Sequence, residues 1–304
     1  MPPWAIEVEG LTKHFGRQAV VDELTLRVPT GSIFGLLGNN GAGKSTTIRM
    51  LVGHLRPTSG TVRVLGVDPQ HHDQAERQRV AYLSDRMEIP GWMTPQSAIA
   101  MNRALFPTWD EALSERLLDR FRLRKAGRYR RMSLGARRKT LLLLTLCQGA
   151  DLLVLDEPTL GLDVESRRTF LDCLLDIALT GERTVLLSSH LVNDVERVVD
   201  RVAILRDGRL VMEGNLESLK DGIRRLHIPM AAPRDLVGQH FRLLAFDRSR
   251  PEETVATVAD FTNEKLHRLT SFLEAAEELR AQSFNLEDIF VEVMHASEQE
   301  ASVS

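Results

Sequence analysis

The sequence predicts an α/β fold, and three observations carry that prediction. A glycine-rich run, "GNNGAGKST" (Gly38–Thr46), lies between the apolar strand "IFGLL" and the helical stretch "TIRMLVG". A second apolar run, "LLVLDEP" (Leu152–Pro158), closes on the adjacent carboxylates Asp156 and Glu157. The runs "DLLVLDE" and "TVLLSSH" are apolar without alternation, which suits strands buried on both faces of a parallel sheet. Strand, helix and strand in succession argue for the α/β class.

The elements follow in order. Residues 5–37 alternate strand-like runs with turns: "AIEVEGL", "LTLRV", then "SIFGLLG". "GTVRVLG" adds another strand. From about Asp110 to Cys147 the periodicity is helical, in "LSERLLDRF" and "RKTLLLLTL". The strands "DLLVLDE" and "TVLLSSH" come next. After about Lys220 the composition shifts to a segment with Pro229, Pro233 and Pro251, short strands such as "FRLLAF", and two helices. In the last helix Leu286, Ile289, Phe290 and Val293 share one face, with Asn285 as its N-cap. Residues 221–304 therefore read as a small α+β appendage, with the tail "ASEQEASVS" expected to be disordered.

A chain of 304 residues has room for about two domains. Hydrophobic residues make up 43% and charged residues 27%, enough apolar material for a sizeable core. The net charge of -3 gives no footprint for bulk nucleic-acid binding. Cys147 and Cys173 are too few for a disulfide framework or a zinc knuckle, which fits a reducing compartment. "MPPWAIEVEG" does not read as a signal peptide. The longest apolar run, near "TLLLLTLC", is far short of the ~20 residues a membrane helix needs. A membrane role would therefore need another chain to do the spanning.

"GNNGAGKST" fits G-x-x-x-x-G-K-[ST]. Gly38, Gly41 and Gly43 let the backbone of Gly38–Thr46, with Asn39, Asn40 and Ala42, wrap phosphates with its amide groups. Lys44 can reach the β- and γ-phosphates, and Ser45 can ligate Mg²⁺. A glycine-rich turn with a chance lysine is the plain alternative, and the strand–loop–helix setting speaks against it. The loop alone says only nucleoside triphosphate, since kinases, GTPases and motor ATPases share it. Asp156, at the end of a buried strand, is placed for Mg²⁺, and Glu157 for deprotonating a water.

The order of these motifs resembles the ATP-binding-cassette (ABC) ATPases over roughly residues 5–220. "TLGLD" resembles the family's D-loop, with Asp163 as its aspartate. "VLLSSHLVNDVERVVDRVAILRDGRL" resembles its switch segment, which gives His190 the role of contacting the γ-phosphate and holding the attacking water with Glu157. "LTKHFG" resembles the adenine-stacking loop, with Phe15 as the stacking ring. Met132-Ser133-Leu134-Gly135-Ala136 aligns with the signature Leu-Ser-Gly-Gly-Gln, so Ser133 and Gly135 would bind the ATP held by an opposite subunit. The resemblance implies a mixed sheet with a RecA-like core, an antiparallel β subdomain and a helical subdomain at about 92–147. The nucleotide-binding domain then covers 1–220 and the accessory domain 221–304.

The sequence departs from the family twice. Asp85 takes a position where the family usually has glutamine. It can still approach Mg²⁺, but adds negative charge beside Asp156 and Glu157. Leu134 adds bulk and lacks glycine's freedom at φ > 0, while Ala136 lacks a polar contact. The alternative for Asp85 is that it points away and Ser84 or a backbone group serves; the signature contact is expected to survive but weaken, slowing dimer closure and turnover. A basic, solvated helix start is the alternative for Arg130–Lys139, "RRMSLGARRK".

The resemblance implies a Mg²⁺-dependent ATPase working with ATP as a homodimer or heterodimer, without nucleic acid. It would act through transmembrane permease subunits on separate chains, peripherally on the cytoplasmic face of the membrane. "NLEDIFVEV" (Asn285–Val293) resembles the ending of cassettes from ABC-2 exporters, which favours export. Two rivals are a regulatory or degenerate cassette with weak turnover and a soluble cassette acting on ribosomes or DNA. One cassette, no heptad run and near-neutral charge argue against the second. "IPGWMTPQSAIAMNRALFPTW" suits core packing or contact with a membrane partner. His71, His72 and Asp73 read as loop residues rather than metal ligands.

Overall fold

The computed structural model describes residues 3–179, 181, 183–229, 232–250, 253–273 and 279–301. The chain divides into two compact units, Met1–Leu210 and Val211–Ser304.

The first unit opens with β1 (Trp4–Phe15), β2 (Gln18–Pro29), β3 (Ile33–Leu37), α1 (Lys44–Leu51) and β4 (Ser59–Val64). Then come α2 (Gln74–Gln78), β5 (Val80–Leu83), α3 (Pro95–Leu105), α4 (Glu111–Arg120) and α5 (Leu134–Leu146). It continues through β6 (Leu152–Asp156), α6 (Val164–Leu179), β7 (Thr184–Ser189), α7 (Val192–Glu196) and β8 (Arg201–Arg206). The division between units falls inside β9 (Arg209–Asn215).

Two kinds of sheet follow from two kinds of sequence. In β2, buried Leu24, Leu26 and Val28 alternate with exposed Glu23, Thr25 and Arg27, and the strand joins an antiparallel sheet of order β2-β1-β4. In β3 and β6 every residue is buried. These strands lie inside a six-stranded sheet of order β5-β6-β7-β3-β8-β9, with parallel pairing from β5 to β8. Phe34, Leu36 and Leu37 are wholly buried, each worth about 1.5–3 kcal/mol relative to exposure.

The helical stretch holds α3, α4 and α5. Thr94 and Ser97 form a capping box at α3, and Asp110 caps α4 through Leu113 N at 2.9 Å. Leu141–Leu146 of α5 are all buried, so that helix is enclosed along its last turns. From the Met-, Trp- and Phe-rich run, Met93, Ala98 and Ile99 enter the core while Trp92, Met101 and Leu105 are exposed.

The second unit contains α8 (Leu216–Gly222), β10 (Arg224–Ile228), α9 (Arg234–His240), β11 (Arg242–Arg250), β12 (Glu253–Ala259), α10 (Asn263–Thr270), β13 (Arg280–Ser283) and α11 (Leu286–Ala301). Its antiparallel sheet has the order β11-β12-β10-β13. From β10 to β13 the succession is β-α-β-β-α-β, a split β-α-β arrangement. Leu226, Ile228, Ala256 and Val258 pack from the sheet against Val237, Phe241 and Leu269. Asn285 Oδ1 accepts from Asp288 N at 2.8 Å at the start of α11, and Leu286, Ile289, Phe290 and Val293 are buried. Two details differ from the sequence reading. Among the described residues, 221–304 hold three helices rather than two, because α9 is too short to show periodicity; α8 lies mostly before residue 221. Helix α11 also continues to Ala301, inside the segment expected to be disordered; 302–304 lie outside the described residues.

Candidate active site

Strand register gathers the site. Leu36 and Leu37 of β3 pair with Ser188 and Ser189 of β7, and Asp156 of β6 also pairs with Ser188. Leu83 of β5 pairs with Leu155. The segments leaving these strands, at Gly38, Ser84, Glu157 and His190, therefore emerge at one edge of the parallel sheet. In such sheets ligands bind outside the carboxyl ends of the strands.

The loop after β3 is tightly seated. A Cβ on Gly38 would lie 2.5 Å from Leu205 O. Gly43 has φ 98°, and a Cβ there would meet Val20 O at 2.7 Å. Neither position tolerates a side chain. Gly43 leads into α1, whose first residues are Lys44, Ser45 and Thr46. Asn39, Asn40 and Gly41 are exposed on the loop, while Ala42 and Gly43 are buried. Lys44 is buried, and its Nζ donates to Gly38 O at 2.6 Å and Asn39 O at 3.2 Å. Burial lowers its pKa, and the charges of Glu157 and Asp156 oppose that shift.

Asp156 is buried, and desolvation raises its carboxyl pKa; hydrogen bonds from Ser188 and Ser45 work the other way. The nearby charge of Asp85 pushes it further up. Ser188 Oγ donates to Asp156 Oδ1 at 2.6 Å and accepts from Glu157 N at 3.0 Å. Glu157 has φ 48°, a left-handed backbone that costs a non-glycine residue about 1–3 kcal/mol and persists where its surroundings hold it. Its carboxylate lies 3.6 Å from Lys44 Nζ and 2.9 Å from His190 Nδ1. Lys44, Ser45, Asp156, Glu157 and His190 thus form one constellation of hydroxyl, carboxylate, ammonium and imidazole at the mouth of a phosphate-type loop.

The remaining residues singled out from the sequence lie at other places. Phe15 is the last residue of β1 rather than part of a loop; it is 49% exposed, with Lys13 Nζ 5.4 Å from its ring centre. Asp85 is exposed just after β5. Ser133 caps α5, its Oγ accepting from Ala136 N at 3.3 Å. Helix α5 starts at Leu134. Leu134 is helical and has no positive φ, so glycine's conformational freedom is not needed there. What leucine adds is an apolar side chain 75% exposed, set against Gly161 of the "TLGLD" turn. Gly135 also approaches that turn: a Cβ on it would lie 3.2 Å from Gly161 O. Asp163 caps α6, its Oδ1 accepting from Ser166 N at 2.8 Å, and Lys139 Nζ reaches its other oxygen at 3.2 Å. His71 pairs with Asp68, and Asp73 caps α2.

Two residues of the site escaped sequence reading. Ser188 bridges both carboxylate residues, and its one signal was a buried-strand hydroxyl next to Ser189, just before His190. Arg138 lay in a basic run that reads as a solvated flank, yet it is buried and donates to Ser84 O, Asp156 O, Glu157 O and Pro158 O. Its signal was position: it begins the buried side of α5, which continues in Leu141 and Leu142.

Residues 21–160 match a family described as ABC transporter. The chain is 36% identical over 227 residues to the daunorubicin/doxorubicin resistance ATP-binding protein DrrA of Streptomyces peucetius, covering 73% of this chain and 68% of that protein. It is 34% identical to the Nod factor export ATP-binding protein I of Paraburkholderia xenovorans (70% of this chain, 72% of that one). It is 31% identical to the bacitracin transport ATP-binding protein BcrA of Bacillus licheniformis, covering 72% of each. A solved structure described as the ATP binding subunit of an ABC transporter superposes with a TM-score of 0.65 at 27% identity, covering 71% of this chain and 92% of that chain.

Proposed function

We infer the function from one premise: this chain belongs to the ABC transporter family of ATP-binding proteins. It is the ATP-binding and ATP-hydrolysing subunit of a transporter. The relatives named for drug resistance, Nod factor export and bacitracin transport favour export over a regulatory or ribosome-directed cassette. Separate permease subunits would carry the substrate across the membrane, since among the described residues no helix is long and apolar enough to do so. The chain would then sit peripherally on the cytoplasmic face. Exposed Trp92, Met101 and Leu105, within the helical segment 92–147, are the surface we assign to that contact. We take residues 1–220 as the catalytic domain and 221–304 as its accessory.

The observation that carries the chemistry is Glu157 held between Lys44 and His190. The amides of Gly38–Thr46 and the ammonium of Lys44 bind the triphosphate, and Phe15 stacks on the base. Ser45 and Asp156 suit a hard dication, because they offer only oxygen donors and a buried carboxylate whose charge a cation would stabilise. Mg²⁺ held there, with Asp85 nearby, would offset phosphate charge. Glu157 takes a proton from water as the water oxygen attacks the γ-phosphorus, the bond to the β-phosphate oxygen breaks, and ADP and phosphate form. His190 orients that water. Ser133, Gly135 and Asp163 meet the nucleotide of a facing chain.

Replacing Glu157 by Gln tests the assignment. Turnover should fall by about 10²–10⁴-fold, the usual range for a lost general base, with ATP affinity retained. Turnover close to native would rule Glu157 out.

A further inference from the structure

Arg138 is 6% exposed, and its hydrogen bonds run to backbone carbonyls. Nη2 donates to Glu157 O at 2.6 Å and Asp156 O at 3.1 Å, Nε to Pro158 O at 3.3 Å, and Nη1 to Ser84 O at 2.7 Å. A planar fork of donors suits such a divided set, and a lysine ammonium does not. Three of the carbonyls belong to the turn that ends β6, and the fourth precedes Asp85. Arg138 itself sits in the opening turns of the helix capped by Ser133.

Glu157 is clamped at both of its peptide groups. Its N–H donates to Ser188 Oγ, and its carbonyl accepts from Arg138. Its left-handed backbone needs such restraint. We propose that Arg138 is a positioning residue for hydrolysis: it fixes the Asp156–Pro158 turn so that the Glu157 carboxylate faces Lys44 and His190, and it ties that turn to the Ser133 helix and the Asp85 loop. The inference rests on the reading of Glu157 as proton acceptor.

The test is a double-mutant cycle on the full chain. Arg138→Lys should lower kcat at least about tenfold, the scale of losing hydrogen bonds from a charged donor, while KM and Kd for ATP stay within about twofold. In the Glu157→Gln background the same change should alter the residual rate by less than about twofold, because the carboxylate it positions is gone. Arg138→Met, of similar length but without donors, repeats the pattern if the lysine variant does not fold. Native kcat in both Arg138 variants would overturn the inference, as would an equal loss in both backgrounds or a parallel loss of ATP affinity. Near-native turnover in Glu157→Gln alone would instead sink the reading on which it rests.

Discussion

Lys44 and Ser133 sit in the same unit under opposite conditions. Lys44 is buried, bonded to two loop carbonyls and 3.6 Å from Glu157, whose carboxylate also meets His190. Ser133 is exposed; its hydroxyl caps its own helix, beside a leucine that projects into solvent. One region is preorganised by internal partners, as electrostatic catalysis requires. The other is a helix N-terminus offered outward. On the proposed reading, the buried region would be the reacting half of one site, and the outward region would complete the site of a facing copy.

Complementation between two variants separates the two regions with the largest expected effect. Lys44→Ala and Ser133→Ala chains should each lose hydrolysis when tested alone. Mixed, half of the dimers pair one of each and hold one intact composite site, so about a quarter of the native rate should return. A mixture as inactive as its components would leave Ser133 without a role in a facing chain's site.

Ser188→Ala probes the buried half. It removes a hydrogen bond to the Asp156 carboxylate and orphans the Glu157 amide, so kcat should fall about tenfold or more with little change in ATP affinity. An unchanged kcat would show that the turn is held without it. Leu134→Gly probes the outward half and should act more weakly. Helix propensity sets its stability cost at about 1 kcal/mol or less, and ATP-dependent dimerisation followed by light scattering should rise if the side chain hinders approach. A fall would mean that the leucine contributes to the contact.

The smallest effect concerns acid. The Ser166 amide and hydroxyl, then Lys139, hold the Asp163 carboxyl at about 2. A depressed pKa stabilises the fold fully above the unfolded carboxyl range near pH 4 and loses that contribution as pH falls through about 2. Asp163→Asn should therefore be less stable than the native chain at neutral pH, by under about 1 kcal/mol for so exposed a group, and the gap should close below pH 2. A gap independent of pH, read from denaturant melts, would remove the charge from the explanation.

Much of this was legible in the sequence. Gly38–Thr46 reads as a phosphate loop because strand, glycines, lysine and helix occur in one order, and unbroken runs such as Leu152–Leu155 reveal the parallel sheet. Sequence hides what depends on neighbours far along the chain. Ser188 is one hydroxyl until β7 lies beside β6, and Arg138 is one basic residue among many until residues 84 and 156–158 surround it. Leu134 misled in the other direction: comparison by position implied a backbone need that the helix does not have.

Arg138 also bears on how the chain is made. Its carbonyl partners include residues 156–158, which leave the ribosome after the helix that carries it. Until they emerge, a buried guanidinium would lack most of its acceptors, which is strongly unfavourable. Burial of the Arg138 guanidinium, though not the packing of α5 on the earlier α3, α4 and β5, therefore waits for β6 and its turn.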